Sequence, residues 1–248
     1  MVAMSRLFSC VFCLFFSTLV LEAQSTAFVI SGGPTIGSQR WDNYFEREPL
    51  LRYHGALAVE SINNENDRSS LFAQIGYHVK GSATRFQFYT QGGGLSRLTE
   101  SFEFHNASLI VGAKQKAPLG SSGMKYFYFG GLRGDYTIST NLDELAESTV
   151  GNPWLRVVYP FEGFVRKWIF GLSVGGGLEF PFGDLVGAQL QLSLHPDFTL
   201  QYNQPPIPNV IDPYNPGQSF TIQERQIRNT AIELSLGLRL LRKVVYDE

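Results

Sequence analysis

The sequence predicts an all-β fold, specifically an eight-stranded antiparallel up-and-down transmembrane β-barrel. Three observations predict it. Eight segments have a two-residue hydrophobic period, the connections between them alternate in length, and one of the two faces of the predicted strands is apolar and uncharged. No stretch after the first 25 residues approaches the ~18 consecutive apolar residues of a membrane-spanning helix. Any membrane insertion is therefore expected to use strands.

The eight predicted strands alternate apolar residues with small or polar ones. In the last of them, "NTAIELSLGLRLL", Ile232, Leu234 and Leu236 share one face, while Glu233 and Ser235 share the other. Such alternation places neighbouring side chains on opposite faces of a strand. The predicted strands, with ends uncertain by about two to four residues, cover 26–37, 52–62, 70–80, 102–116, 125–138, 167–180, 185–200 and 228–242.

The connections between these segments alternate in length. With the predicted boundaries they run to about 14, 7, 21, 8, 28, 4 and 27 residues. The short ones contain "NNENDRS", "APLGSSGM" and "PFGD". Outer-membrane barrels have short periplasmic turns and longer outer loops, so the alternation predicts three periplasmic turns.

Alternation alone leaves open which face is inside, since a secreted lipocalin-type barrel also has eight strands, with an apolar cavity and a polar exterior. The composition of the polar face favours the membrane alternative. It is rich in Gly, Ser and Ala, and the interior of an eight-stranded barrel is just wide enough for packed side chains. The charges predicted to form a network in that interior are Glu60, Lys80, Lys114, Arg133, Asp135, Glu179, Glu233 and Arg239.

The apolar face carries rings toward its ends, which is typical of the aromatic girdles of lipid-facing bands. Ordinary core aromatics are the alternative. Lipid offers no hydrogen bonds, so the backbone groups of each strand must be paired around a complete ring. The rings concerned are Phe28, Tyr53, Tyr77, Tyr126, Tyr136, Trp168 and Phe180.

The tripeptide Arg133-Gly134-Asp135 is one that animal adhesion receptors recognise. Here it lies within "YFYFGGLRGDYTI", where Tyr126, Leu132 and Tyr136 occupy the apolar face. The alternation therefore predicts that Arg133 and Asp135 point into the barrel, where they pair with other charges and no receptor reaches them.

The N-terminus predicts export. Residues 1–23 have Arg6 followed by a short apolar run and small residues, which is the pattern of a signal peptide cleaved after Ala23 or Ser25. Residues 24–248 are predicted to form one outer-membrane barrel domain. Both cysteines precede the cleavage site, so the mature chain is expected to hold no disulfide. With 20 basic and 22 acidic residues, the charge gives no reason to expect nucleic acid.

Some outer-membrane barrels are enzymes that modify lipid A, so nucleophile and base candidates matter. Ser193, His195 and Asp197 share the inward face, but residues two apart on a strand lie about 6 to 7 Å apart by the strand rise, too far for catalytic contacts. We assign no catalytic residue and expect no cofactor, and none of the four histidines has metal-ligand spacing. A lipid A-modifying enzyme and a narrow channel remain alternatives to a structural or interaction role.

The longest outer connections mix prolines, charges and aromatic rings. Exposed rings supply binding area and prolines lower the entropy lost on ordering, so a partner-binding surface is one interpretation. The other is a lid of loops packed over the barrel. The candidate loop-binding residues are Trp154, Tyr159, Phe161 and Tyr214.

Several stretches resemble a known family. These are "GYHVKGSA", "ASLIVGAKQK", "GLRGDYTISTNLDE", "VGGGLEFPFGDLVG", "PDFTLQYNQPPIPNVIDPYNPG" and "IRNTAIELSLGLRLL". Together they resemble the PorT-like outer-membrane β-barrel proteins of Bacteroidetes, across most of the mature chain. The resemblance implies a bacterial outer-membrane location and, for some relatives, a part in protein secretion or gliding. In such a membrane we expect the barrel to contact outer-membrane lipid and lipopolysaccharide, and we expect any protein partner to be reached through the outer loops. The resemblance transfers no defined activity.

Overall fold

The computed structural model describes residues 25–41, 47–62, 68–89, 94–120, 123–148, 159–212, 215 and 217–243. The predicted signal peptide lies outside the described residues. Eight long strands dominate. They are β1 (Ser25–Trp41), β2 (Glu48–Ile62), β3 (Ser69–Tyr89), β4 (Leu95–Pro118), β5 (Lys125–Thr140), β6 (Trp168–Pro181), β7 (Val186–Pro196) and β11 (Arg225–Lys243).

The eight long strands form a ring of antiparallel pairs. Strands β1 to β7 pair in sequence order, β7 pairs with β11, and β11 pairs back with β1 from Ser25↔Lys243 to Trp41↔Ile227. Each strand thus has a partner on both sides, which removes the unpaired sheet edges that lipid cannot satisfy. The predicted eight-stranded up-and-down barrel is confirmed.

The outward face of the barrel is apolar on all eight strands. Leu132 on β5 is 71% exposed, Leu236 on β11 is 67% exposed and Ile75 on β3 is 60% exposed. The inward neighbours Arg133 and Ser235 are only 2% and 3% exposed. The direction of the alternation is therefore the predicted one, with large apolar side chains outside and polar ones inside. A soluble lipocalin-type barrel has the opposite arrangement.

Strands β3 and β4 are longer than the sequence predicted. They remain paired with each other from Ser69↔Gln115 to Tyr89↔Leu95, whereas β2 leaves β3 at Ala83 and β5 leaves β4 at Phe104. The predicted 21-residue loop was wrong, because most of those residues continue the ladder as a two-stranded arm. We call residues 84–89 and 95–103 the β3–β4 arm. Pairing between the two strands extends it, and the local sequence pattern does not show that pairing.

The remaining elements lie between β5 and β6 and between β7 and β11, at the end of the barrel opposite the short turns. They are a helix α1 (Leu142–Ser148), a 3₁₀ turn (Glu162–Phe164), and strands β8 (Tyr202–Gln204), β9 (Ile207–Ile211) and β10 (Ser219–Ile222). β8 pairs with the start of β11, and β9 pairs with β10 as a separate hairpin. Strand β7 ends at Pro196, four residues before the predicted end, because proline cannot donate to the ladder. None of the described helices is long and apolar enough to cross a membrane.

Candidate functional site: the barrel interior and its outer end

The barrel interior contains two layers of charge separated by rings. The first layer lies near the short turns and comprises Glu60, Lys114, Lys116, Glu179 and Arg239. Lys116 Nζ lies 2.9 Å from a carboxylate oxygen of Glu60 and 2.9 Å from one of Glu179, and Lys114 also pairs with Glu60. Arg239 lies farther off, with Nε 3.9 Å from Glu60 and 4.0 Å from Glu179. We call this set the short-turn charge layer.

An apolar layer follows, made of Phe72, Ile110, Phe127 and Phe129. Phe72 and Phe129 meet edge to face with ring centroids 5.6 Å apart. Inward glycines make room for these rings: a Cβ on Gly177 would lie 2.7 Å from the Phe127 ring. The glycine-rich inward face thus follows from the need to fit large rings into a narrow cylinder.

The second charge layer lies near the middle of the barrel and is built on Lys80, Asp135, Asp197 and Arg133. Lys80 Nζ donates to Asp135 at 2.6 Å and to Asp197 at 2.8 Å. Arg133 lies 3.1 Å from Asp135 through Nε and pairs with Asp197 through Nη2. All four side chains are at most 1% exposed. The Arg-Gly-Asp tripeptide is therefore inaccessible to any receptor.

Histidines extend this layer around Glu233. His78 Nδ1 and His195 Nε2 each lie 3.1 Å from a Glu233 carboxylate oxygen, and His54 Nε2 lies 3.9 Å away. The rings of His78 and His195 lie edge to face. We call Lys80, Arg133, Asp135, Asp197, Glu233 and the three histidines the central charge layer.

The expectation that Ser193 and His195 are too far apart for a contact was wrong. His195 Nε2 lies 2.9 Å from Ser193 Oγ, because the ring swings back along its strand and shortens the separation set by the backbone rise. Its Nδ1 contacts Ser173 Oγ on the neighbouring strand. Asp197 takes no part, since it turns to Lys80 and Arg133. A serine, a histidine and a carboxylate do meet, but all three side chains are buried.

The structure brings all eight predicted interior charges inside the barrel, in two separate groups. Sequence reasoning missed Lys116, Asp197 and the histidines as members. Lys116 lies on the same strand face as Lys114, and Asp197 lies on the same face as Ser193 and His195. The two-residue alternation therefore already predicts that both side chains point inward. It could not show which charges on non-adjacent strands meet, because that depends on the barrel's diameter and tilt.

An apolar cluster, which we call the lid, packs within the outer end of the barrel. Trp41 and Phe102 meet edge to face at 5.2 Å between centroids, and Phe102 meets Tyr159 at 5.6 Å. The lid residues are Trp41, Phe102, Phe104, Leu142, Tyr159, Tyr202 and Ile227.

The candidate loop-binding residues divide between the lid and the undescribed part of the chain. Tyr159 is 2% exposed and its hydroxyl donates to Glu100, so this ring packs within the molecule and offers no surface to a partner. Phe161 is half-buried, and its N–H donates to Tyr202 Oη at 3.0 Å. For these two residues the lid interpretation fits. Trp154 and Tyr214 lie outside the described residues.

Two recesses lie along the described part of the barrel. Between the two layers, the cavity bordered by Glu60, Phe72 and Lys114 measures about 10 Å³, about the volume one water molecule needs. A larger recess of about 260 Å³ lies at the short-turn end, lined by Lys125, Glu179 and Arg239 among others. Across the described ranges, no group of three or more His, Cys, Asp or Glu side chains is arranged to hold a metal ion.

Comparison with solved structures finds barrels of bacterial outer membranes. The chain is similar to the outer membrane protein OprG from Pseudomonas aeruginosa, with 9% identity and a TM-score of 0.47 over 86% of this chain and 95% of that one. It is also similar to Neisserial surface protein A, with 10% identity and a TM-score of 0.43 over 88% and 96%. For the N-terminal β-barrel domain of Pseudomonas aeruginosa OprF the values are 10% and 0.40 over 88% and 98%.

No protein-family model matches the chain, and no curated protein matches it either. The resemblance to PorT-like proteins therefore stays a prediction. Identities this low say nothing of function, and it is the ring of strand pairings in the chain itself that establishes an outer-membrane-type β-barrel fold.

Proposed function

We propose that the protein is an integral barrel of a bacterial outer membrane with a structural or interaction role, presenting its outer segments to a partner. The observation that carries this proposal is the apolar outward face on every strand around an interior filled with charge and rings. In water, an apolar surface of this extent would drive association. In a bilayer it is the expected lipid contact, and the filled interior leaves the outer end as the place for function.

Membrane insertion is tested by fractionating cells and by a detergent gel of the unboiled protein. We expect the protein in the outer-membrane fraction, and faster migration before boiling than after, because a closed barrel resists unfolding in detergent. A freely soluble periplasmic protein would contradict the proposal.

Two ribbons project from the outer end and are the candidate partner surfaces. Beyond Ala83 the described residues of the β3–β4 arm pair with no third strand, and the β9–β10 hairpin forms a sheet of its own. Ile211 on β9 is 74% exposed and offers an apolar side chain on this hairpin. The resemblance to PorT-like proteins makes a protein-secretion assembly the first partner to test.

The partner proposal is tested with a photoreactive amino acid placed at position 211 in living cells. Position 236, in the lipid-facing band, serves as the matched control. We expect a discrete protein adduct at 211 and none at 236. Equal labelling at both positions, or lipid adducts alone, would count against a partner at this hairpin.

A lipid A-modifying enzyme is the second candidate, because Ser173, His195 and Glu233 form a chain of contacts. The burial of His195, 2% exposed, weighs against access by a lipid. The test compares lipid A from cells carrying the wild type and the His195→Ala variant, with the folded state checked by the gel shift. An altered lipid A pattern would support the enzyme, and an unchanged one supports the interaction role.

A further inference from the structure

Two arginines share one indole ring at the outer end of the barrel. The guanidinium carbon of Arg47, just before β2, lies 3.4 Å from the centroid of the Trp41 ring, and that of Arg225, the first residue of β11, lies 5.8 Å from it. Stacking on an aromatic face favours a cation and leaves the N–H groups at the edge of the guanidinium for hydrogen bonding. Arg47 Nη1 donates to Thr84 Oγ1, and its Nε is left over.

Three buried donors of this cluster have no hydrogen-bond acceptor in the described part of the chain. They are Arg47 Nε, Arg225 Nη1 and Gln204 Nε2. Arg225 is 7% exposed and Gln204 is fully buried. The two residues are direct partners in the β8–β11 ladder, so their side chains lie beside each other. Buried donors without acceptors are costly, and a site that gathers several of them points to an acceptor that binds there.

The charges around the cluster do not balance. Burial and repulsion by Arg225 hold the pKa of Arg47 at about 9, and the attraction of Glu100 offsets this only in part. Glu100 already accepts a hydrogen bond from the Tyr159 hydroxyl. Tyr202 donates to Oε1 of Gln204 at 2.6 Å, which fixes that amide so that its NH₂ group faces away from Tyr202. Among the described residues, the cluster therefore has more positive than negative charge and more donors than acceptors.

We propose that Arg47, Arg225 and Gln204 form a binding site for a soluble phosphate-bearing molecule that enters the barrel from its outer end. The donors come from three separate segments, and a tetrahedral phosphate offers oxygens in more directions than a flat carboxylate. Arg47, the least buried of the three, marks the side of entry. The role goes beyond the proposed partner interaction and does not depend on it.

The inward position of the site distinguishes a soluble ligand from a membrane lipid. Arg225 and Gln204 lie on the same strand faces as Ile227 and Tyr202, which are both fully buried inside the barrel. Lipid headgroups surround the outside of the barrel, beyond the outward side chains. A phosphate in solution, or one carried by a small sugar phosphate, would reach this inward site from the outer end, on the side of Arg47.

The test measures thermal unfolding and binding calorimetry of the full-length protein in detergent with inorganic phosphate, against chloride at equal ionic strength. A ligand that binds only the folded state raises Tm in a saturable way. We expect saturable binding and a rising Tm with phosphate, weaker effects with acetate, and none with chloride. No Tm shift and no binding heat with phosphate would overturn the site.

Three substitutions test whether phosphate binds at the proposed residues. Arg225→Gln removes one cation and is expected to weaken phosphate binding at least tenfold, while Arg85→Gln, a surface arginine paired with Glu48 at 2.6 Å, should bind as the wild type does. Because Arg225→Gln could impair folding, Gln204→Glu provides a second test. It supplies a carboxylate beside Arg225 from within the chain, so Tm without phosphate should rise and phosphate binding should be lost. Binding unchanged in Gln204→Glu, or equally weakened in Arg85→Gln, would contradict the proposal.

Vesicles carrying phosphorylated glycolipid form the last arm. If the vesicles bind, but inorganic phosphate and glucose 6-phosphate neither bind nor displace them, the ligand is a lipid and the proposed inward site is wrong. The inward site is supported if the wild type binds the soluble phosphates and the Gln204→Glu variant does not. Photo-crosslinking at position 211 is independent of these results, so failure of the phosphate site and failure of the partner proposal can be told apart.

Discussion

Lys80 reaches across the barrel interior to Asp135, with 2.6 Å between its Nζ and Oδ2. The two residues lie on β3 and β5, which are separated in the sheet by β4. The same ammonium group donates to Asp197, beyond the end of β7. One buried cation thus links two non-adjacent strands and the segment that follows β7, because an eight-stranded cylinder is narrow enough for side chains to meet inside it.

Replacing Lys80 by methionine should destabilise the barrel by about 3–5 kcal/mol, because it removes a buried cation that pairs with both Asp135 and Asp197. Arg133 and His78, whose Nε2 lies 3.5 Å from Asp135, then remain to balance the two carboxylates. The measurement is urea unfolding of the protein in lipid vesicles, followed by tryptophan fluorescence.

Lys167→Met is the matched control. Lys167 is 47% exposed on its side chain and pairs with Glu162 at 3.8 Å, so its loss should cost about 0–1 kcal/mol. Adding Asp197→Asn to Lys80→Met should recover part of the lost stability. Equal losses in the two lysine variants would show that the buried pair does not hold the strands together.

Gly177→Ala should destabilise the barrel or prevent its folding. The new Cβ would lie 2.0 Å from the Leu190 carbonyl oxygen and 2.7 Å from the Phe127 ring, and such overpacking costs about 1–3 kcal/mol or more. The gel shift of the unboiled protein reports folding, and urea unfolding reports stability.

Gly130→Ala provides the contrast, since a Cβ there meets nothing within 4 Å. We expect this variant to fold and unfold as the wild type does. If both alanine variants behaved alike, the fit of glycines around the interior rings would not limit the barrel.

Leu236→Arg should cost about 2–4 kcal/mol in a bilayer, because it places a charge in the lipid-facing band. Ile211→Arg should be nearly neutral, although Ile211 is the more exposed of the two, at 74% against 67%. Unfolding in lipid vesicles measures both. A neutral Leu236→Arg would mean that water, and not lipid, covers this face.

The purified protein should show no steady conductance in planar bilayers. The two charge layers and the rings of Phe72, Phe127 and Phe129 fill the interior between the ends. Regular single-channel steps that persist after repurification would contradict the filled interior and favour the narrow-channel alternative.

The two-residue alternation in the sequence predicts most of the fold. It placed Leu234 and Leu236 outside and Glu233 and Ser235 inside, since a period of two leaves only the choice of which face meets water. It failed at the outer end, where the β3–β4 arm and β8 depend on pairing partners distant in the chain. It also failed at His195, whose ring reaches Ser193 through a rotation that strand geometry does not specify.

The sequence by itself determined the number of barrel strands, their faces and the interior position of Arg133 and Asp135, because side-chain direction along a strand is a local property. Only the tertiary structure decided that Lys80 meets Asp135, that Tyr159 is buried in the lid, and that Arg47 and Arg225 flank Trp41. These contacts join residues from strands and loops far apart in the chain. They depend on the curvature and stagger of the closed sheet, which no short stretch of sequence specifies.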